Sequence, residues 1–223
     1  MRRLARAALI EQRDLFAGPE RPCRVPIVAD VVLLRQFVAT APLLRLIDAI
    51  AAVAPFRCLR IPGGGKMSVA MTNCGAVGWH SDAGGYRYVE ADPESGNRWL
   101  PMPPEFRALA YSAATAAGLG PFEPDCCLVN RYAVGAQLGT HRDFDELDLC
   151  QPIVSVSIGL PAVFLWYGAT RKGPPLPIRV ADGDVVVWGR TARAGYHGVR
   201  KLAASEPAAH DAVRYNLTFR RAR

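Results

Sequence analysis

Three residues could together build a metal site. His141-Arg142-Asp143 sets an imidazole and a carboxylate two residues apart, and His197 follows 56 residues after His141. Two imidazoles and one carboxylate fill three positions of an octahedral metal. The open positions are left to substrate and oxygen, the arrangement that suits Fe(II) in oxygen-activating sites. Arg214 stands 17 residues beyond His197. On an inward-facing strand its planar fork would grip a carboxylate of a co-substrate. The His-x-Asp triplet is weak by itself, because His80-Ser81-Asp82 is a second one. Ala83-Gly84-Gly85 follows that second triplet, with no later His and Arg at a matching spacing. His80 therefore reads as a surface-loop residue.

The elements that must position these groups are mostly strands. From about residue 125 onward, Val154, Val156 and Ile158 alternate with Ser155 and Ser157, a pattern that runs on toward Phe164 and Trp166. Val185-Val186-Val187-Trp188 reads as a buried strand after an Asp182-Gly183 turn. Residues 213–220 place Arg214, Asn216, Thr218 and Arg220 on one face and Tyr215, Leu217 and Phe219 on the other. Four such polar residues face either water or a polar cavity. Many short strands with turn punctuation imply an all-β sandwich, jelly roll or barrel. Ahead of them, residues 41–54 carry apolar positions at helical spacing, with Pro42 in the first turn. A second, Ala-rich helix is expected over 104–118, ending near Gly118 and Gly120. Within the Gly- and Pro-rich stretch between them, Met67–Met71 and Tyr86-Arg87-Tyr88 read as short hairpin strands.

At 223 residues and 50% hydrophobic, the chain suffices for one core and one domain, 1–223. Its apolar runs are too short to cross a bilayer, so no membrane association is expected. Residues 1–26 read as a basic N-terminal extension; Glu11 and Asp14 interrupt it, which argues against a signal peptide. Six cysteines without a C-x-x-C pair suggest reduced thiols and a cytoplasmic protein. The net charge of +7 favours a polyanionic partner.

A set of longer motifs carries a family resemblance. They are Met67-Ser68-Val69-Ala70-Met71-Thr72-Asn73-Cys74-Gly75, Asn130-Arg131-Tyr132, and His141-x-Asp143-x-Asp145-Glu146. Further along come Pro152–Ser157, Gly183–Trp188, Tyr196-His197-Gly198 and Arg214–Arg220. In this order and spacing they resemble the AlkB family of 2-oxoglutarate- and Fe(II)-dependent dioxygenases, over about residues 28–220. The resemblance implies a mainly β fold: a double-stranded β-helix (jelly roll, cupin-like) with N-terminal helices and a β-hairpin substrate lid. Helices and lid would occupy 27–120, and the jelly-roll core 121–223.

It also implies roles. His141, Asp143 and His197 would hold Fe(II). Arg214 would pair with the distal carboxylate of 2-oxoglutarate, assisted by Asn130, Tyr132 and Asn216, with Arg220 at the metal end. The activity would be oxidative demethylation of N1-methyladenine and N3-methylcytosine in DNA, releasing succinate and formaldehyde. Such lesions are cationic and suit an aromatic face and a carboxylate. Trp79 would stack on the base and Asp145 face it, while Tyr86, Arg87, Tyr88 and Arg171 reach phosphates and sugar. The base must leave its stack, which favours single-stranded or base-flipped DNA over a closed duplex, with RNA a further partner. A monomer is expected. The alternative is an oxygenase of the same fold acting on RNA, protein or a small molecule. Two places depart from the family pattern: His80–Gly84 in the lid, and Ala194-Gly195, where a bulkier apolar pair usually precedes Tyr-His. Both bear on substrate range.

Overall fold

The computed structural model describes residues 23–203 and 213–223; the basic stretch at 1–6 lies outside them. In chain order the elements begin with β1 (Cys23–Val28), β2 (Val31–Arg35), α1 (Ala41–Val53), β3 (Ala70–Gly75), β4 (Gly78–Asp82) and β5 (Gly85–Val89). They continue with α2 (Pro104–Ala116), β6 (Cys126–Tyr132), β7 (Leu138–His141), β8 (Ile153–Gly159) and β9 (Ala162–Gly168). The last are β10 (Leu176–Val180), β11 (Val185–Trp188), β12 (Tyr196–Val199) and β13 (Arg214–Arg220). Seven strands form the larger sheet in the order β1-β2-β11-β8-β13-β6-β3, and four form the smaller, β10-β9-β12-β7. β4 and β5 make a separate hairpin.

The mainly β expectation holds, and both helices lie within a residue or two of their expected bounds. Each exists because one apolar stripe needs cover. Leu43, Ile47 and Ile50 of α1, with Phe106, Leu109, Ala110, Ala113 and Ala114 of α2, close over one face of the larger sheet. The sheet answers with Val32, Leu34, Val129, Val154, Val156, Val185, Val187, Leu217 and Phe219. The opposite face, bearing Val31, Leu33, Leu128, Tyr132, Ile153, Val186 and Trp188, packs on Ala162, Phe164, Trp166, Ile178, Val180 and Val199 of the smaller sheet. Two sheets thus face each other, with the helices on the outside of one.

β13 runs centrally, hydrogen-bonded to β6 on one side and β8 on the other. Leu217 and Phe219 therefore point into the helix-side core. Arg214, Asn216, Thr218 and Arg220 point between the sheets, and all four are buried. The polar face is turned to the interior, not to solvent.

Three expectations need correction. The sheet begins at Cys23, inside the stretch read as an extension: β1 alternates exposed and half-buried positions and tolerates Pro26 because it is an edge strand. The larger sheet also takes β1, β2 and β3 from before residue 120, so its strands are not confined to 121–223. His80 is no surface-loop residue. It lies in β4, buried, because β4 and β5 form a regular hairpin around Ala83-Gly84 and direct His80 inward. Asp82 closes that turn by accepting the Gly84 N–H at 2.8 Å. No helix among the described residues is long and apolar enough to cross a membrane.

Candidate metal centre and nucleotide lid

β7 and β12 are neighbours in the smaller sheet, and their register sets His197 directly across from His141. Such pairing brings the two imidazoles together, ring centroids 4.4 Å apart, and Asp143 lies just past the end of β7. One candidate ligand atom from each of His141, Asp143 and His197 lies within 4.8 Å of the others. Each His Nδ1 sits against a carbonyl two residues upstream: Gly139 O at 2.9 Å for His141, Gly195 O at 3.0 Å for His197. With Nδ1–H donated there, both Nε2 atoms present lone pairs, each 3.8 Å from Asp143.

The electrostatics favour a ligand set. Burial pushes His197 down to about 3, and His141 beside it acts the same way, so the ring is neutral at physiological pH. Burial alone would raise Asp143, but the Arg220 guanidinium, foremost among the groups opposing it, overcomes burial and holds the carboxyl well below its usual range. Arg220 donates to Asp143 Oδ1 at 3.0 Å, while Oδ2 is buried with no partner. A buried carboxylate oxygen without a donor is costly, and a cation in front of it removes the cost. The residues therefore fit a divalent metal.

A second set of orphaned donors lies on β13. Arg214 is 2% exposed and gives only Nη2 to Ser157 Oγ, at 3.1 Å; Nε and Nη1 have no partner. Its guanidinium lies 5.0 Å from the centroid of the buried Tyr132 ring. Asn216 holds Ser155 Oγ and the Val156 carbonyl, and its own Oδ1 accepts from Asn130 and Thr218. Asn130, Tyr132, Arg214, Asn216 and Arg220, singled out from sequence, are buried on the adjacent strands β6 and β13. No carboxylate among the described residues pairs with Arg214. An anion from outside the chain would satisfy it.

A scan against family models matches residues 30–220 to the 2OG-Fe(II) oxygenase superfamily. The chain belongs to that superfamily. Fe(II) and 2-oxoglutarate are the oxygenase's cofactor and co-substrate, and the two sets of orphaned groups are where such ligands fit. The oxygenase is 50% identical over 212 residues to the alpha-ketoglutarate-dependent dioxygenase AlkB of Escherichia coli, covering 94% of this chain and 97% of that one. It is 31% identical to a mouse nucleic acid dioxygenase, ALKBH1, over 119 residues, 53% of this chain and 31% of the relative. Among solved structures it is similar to OsALKBH1, with a TM-score of 0.73 and 26% identity over 86% of this chain and 98% of that one.

The lid departs from the sequence reading in part. Trp79 stacks on Tyr86, centroids 5.5 Å apart and planes 16° off parallel, and its Nε1–H donates to Asp145 Oδ2 at 3.0 Å. Arg87, expected to reach for phosphates, instead grips Asp82 bidentately at 2.8 and 2.6 Å. The cross-strand geometry of the hairpin puts that acid within its reach. Tyr88 turns inward and donates its hydroxyl to Glu146 at 2.6 Å. Arg171 is exposed and donates Nη2 to the Thr140 carbonyl at 2.9 Å.

Sequence reasoning missed Arg193 and gave Glu146, although part of the quoted motif, no role. Buried Arg193 donates to the Asp143 and Gln151 carbonyls at 2.9 and 2.7 Å and meets Glu146 at 3.1 Å, pinning the loop that carries Asp143. Adjacency to the Tyr196-His197 motif was the sole available signal for Arg193. Gly195 was noted only as a departure. A Cβ there would come within 2.5 Å of Trp166 Cζ2, and Trp166 stacks nearly parallel on His197, 17° between planes.

Proposed function

We propose that this oxygenase removes methyl groups from N-alkylated bases, N1-methyladenine and N3-methylcytosine, in single-stranded or base-flipped DNA. The observation that carries the reading is the His141–Asp143–His197 set meeting, through Arg220 at Asp143, the buried polar face of β13 that also carries Arg214 with no carboxylate partner among the described residues. The nucleic-acid substrate draws on the mouse relative's name and on the family resemblance. The net charge of +7 and the aromatic lid are consistent with it. We place the protein in the cytoplasm, acting as a monomer.

His141, Asp143 and His197 would hold Fe(II), and Arg220, donating to Asp143 Oδ1, offsets part of the carboxylate charge. When bound, Fe(II) with 2-oxoglutarate and O2 supplies the oxidation: the co-substrate leaves as succinate and carbon dioxide, and the N-methyl carbon leaves as formaldehyde. Arg214, with Nε and Nη1 unpartnered, would hold the distal carboxylate of 2-oxoglutarate, and the Asn130–Asn216–Thr218 network keeps the neighbouring wall rigid. Tyr86 backs one face of the Trp79 indole, leaving the other for a base. Asp145, beside it, favours a cationic lesion over a neutral one. The lid and the aromatic wall of Phe164, Trp166 and Trp188 keep bulk water from the cavity.

The test is anaerobic reconstitution with Fe(II) and 2-oxoglutarate, followed by methylated DNA and RNA oligonucleotides in air. Formaldehyde release that tracks loss of the methyl group from N1-methyladenine DNA is the expected result. Uncoupled co-substrate turnover with no change in any oligonucleotide would sink the reading.

A further inference from the structure

The segment that supplies His141 and Asp143 has a second face. Asp143 is buried, while its neighbours Arg142 and Phe144 turn to the surface, and Phe144 is 50% exposed. The Arg142 guanidinium lies between two rings, 4.4 Å from the Phe144 centroid and 5.3 Å from that of Tyr196. Guanidinium planes stack on aromatic faces, so this contact fixes a Phe ring that would otherwise be free to turn. Phe144 belongs to none of the buried apolar clusters, so packing gives no reason for it. Every member of the stack adjoins an inward-facing site residue. Arg142 lies between His141 and Asp143, Phe144 between Asp143 and Asp145, and Tyr196 next to His197. The stack therefore rims the metal site.

We propose that Phe144, held by Arg142 and Tyr196, is a stacking platform for the nucleobase adjacent to the one being demethylated. The proposal rests on the demethylase reading given above. Drawing one base out of a strand leaves its neighbour without a stacking partner. An aromatic ring replaces that partner whatever the neighbouring base is, because every base has a π-face. The same spot is cationic. Arg142 is part of the stack, and exposed Arg171 is tied to the Thr140 carbonyl one residue before His141. A ring beside guanidinium groups suits a base with its phosphates. The one acid adjoining Phe144 on its exposed side, Asp145, is engaged by the Trp79 indole.

The test uses two pentanucleotides with a central N1-methyladenine, identical except that one carries abasic sites on both sides of it. Both keep all their phosphates. With the unaltered protein, abasic flanks are expected to raise KM and Kd about tenfold, an ordinary size for one base–aromatic stack. In Phe144→Ala the complete pentamer should weaken to that same level with kcat within about twofold, and removing the flanking bases should have no further effect. Phe144→Trp should restore the preference; Phe144→Leu, apolar but without a π-face, should not. A 2-aminopurine next to the lesion gives a readout without turnover: its fluorescence is quenched on binding to the unaltered protein and not to Phe144→Ala. If Phe144→Ala weakens both pentamers equally, or leaves the flanking-base preference intact, the platform is overturned and the demethylase reading stands. If the unaltered protein neither binds nor demethylates the complete pentamer, both fall together.

Discussion

Replacing Arg214 with Met should make the resting protein no less stable while crippling its use of 2-oxoglutarate. The guanidinium is buried, its Nε and Nη1 are unpartnered, and its one side-chain hydrogen bond goes to Ser157. Burial alone pulls its pKa down, a sign that the charge is poorly compensated in the resting cavity. Met fills similar volume without a charge, and exchanging buried ionic groups for packed apolar ones is often neutral or stabilising. The melting temperature without co-substrate should therefore hold or rise. With 2-oxoglutarate the sign reverses, because its distal carboxylate is left buried without a partner. Truncating one member of such a pair costs about 2–5 kcal/mol, or about 30- to 5,000-fold in affinity. The assay is thermal melting under anaerobic Fe(II) with and without 2-oxoglutarate. At 100 times its Kd the co-substrate stabilises by about 2.7 kcal/mol, which for a chain of this size is a rise of roughly 5–10 °C. Arg214→Met should lose nearly all of that rise at the same concentration. An unchanged co-substrate shift, or a resting variant that melts several degrees lower, would mean that Arg214 is a structural cation.

Three further outcomes are expected. His141→Ala should abolish turnover and metal uptake, whereas His80→Ala should keep the metal and lose only lid stability; the reverse pattern in metal titration would assign the site to the wrong triplet. Asp145→Ala should reduce demethylation of cationic N1-methyladenine more than that of neutral N1-methylguanine, since it removes a carboxylate at the lid. Equal slowing of the two in side-by-side kcat/KM measurements would instead give Asp145 the single task of holding Trp79. Under native conditions a thiol reagent should titrate three cysteines rapidly, the exposed Cys23, Cys58 and Cys150, while buried Cys74, Cys126 and Cys127 react only after unfolding. Six fast thiols would contradict the packing of β3 against β6.

The parts legible in sequence were those with a period or a motif. Alternation in residues 213–220 separated Leu217 and Phe219 from the polar face, and the structure buries that face between two sheets. What alternation could not decide was cavity against solvent, because a polar strand face looks the same in both. Helix bounds followed from apolar spacing and Pro42. The hairpin was harder. His80 looked like loop because Ala83-Gly84-Gly85 reads as a turn, yet a two-residue turn leaves regular strand on either side. Arg87 resembled a phosphate contact because its partner Asp82 belongs to the other strand of the hairpin, a pairing that depends on register. Arg193 was out of reach altogether: its three contacts, at Asp143, Glu146 and Gln151, are all more than 40 residues away in the chain.

Gly195 and Trp166 occupy one volume between them, and this constrains the routes by which the cavity wall can change. A bulkier residue at Gly195 collides with the indole and with the Ala192 carbonyl while Trp166 is in place. Shrinking Trp166 alone opens a void against His197. Each single step is thus penalised, and exchanging both sizes together removes the indole collision while the Ala192 carbonyl must still shift slightly, so the pair should show strong coupling in a double-mutant cycle. A lineage moving between this wall and one with a large residue at position 195 would pass through the void first, since a cavity is survivable where a collision with a packed indole is not. Libraries that vary either position separately will miss every functional recombination of the two.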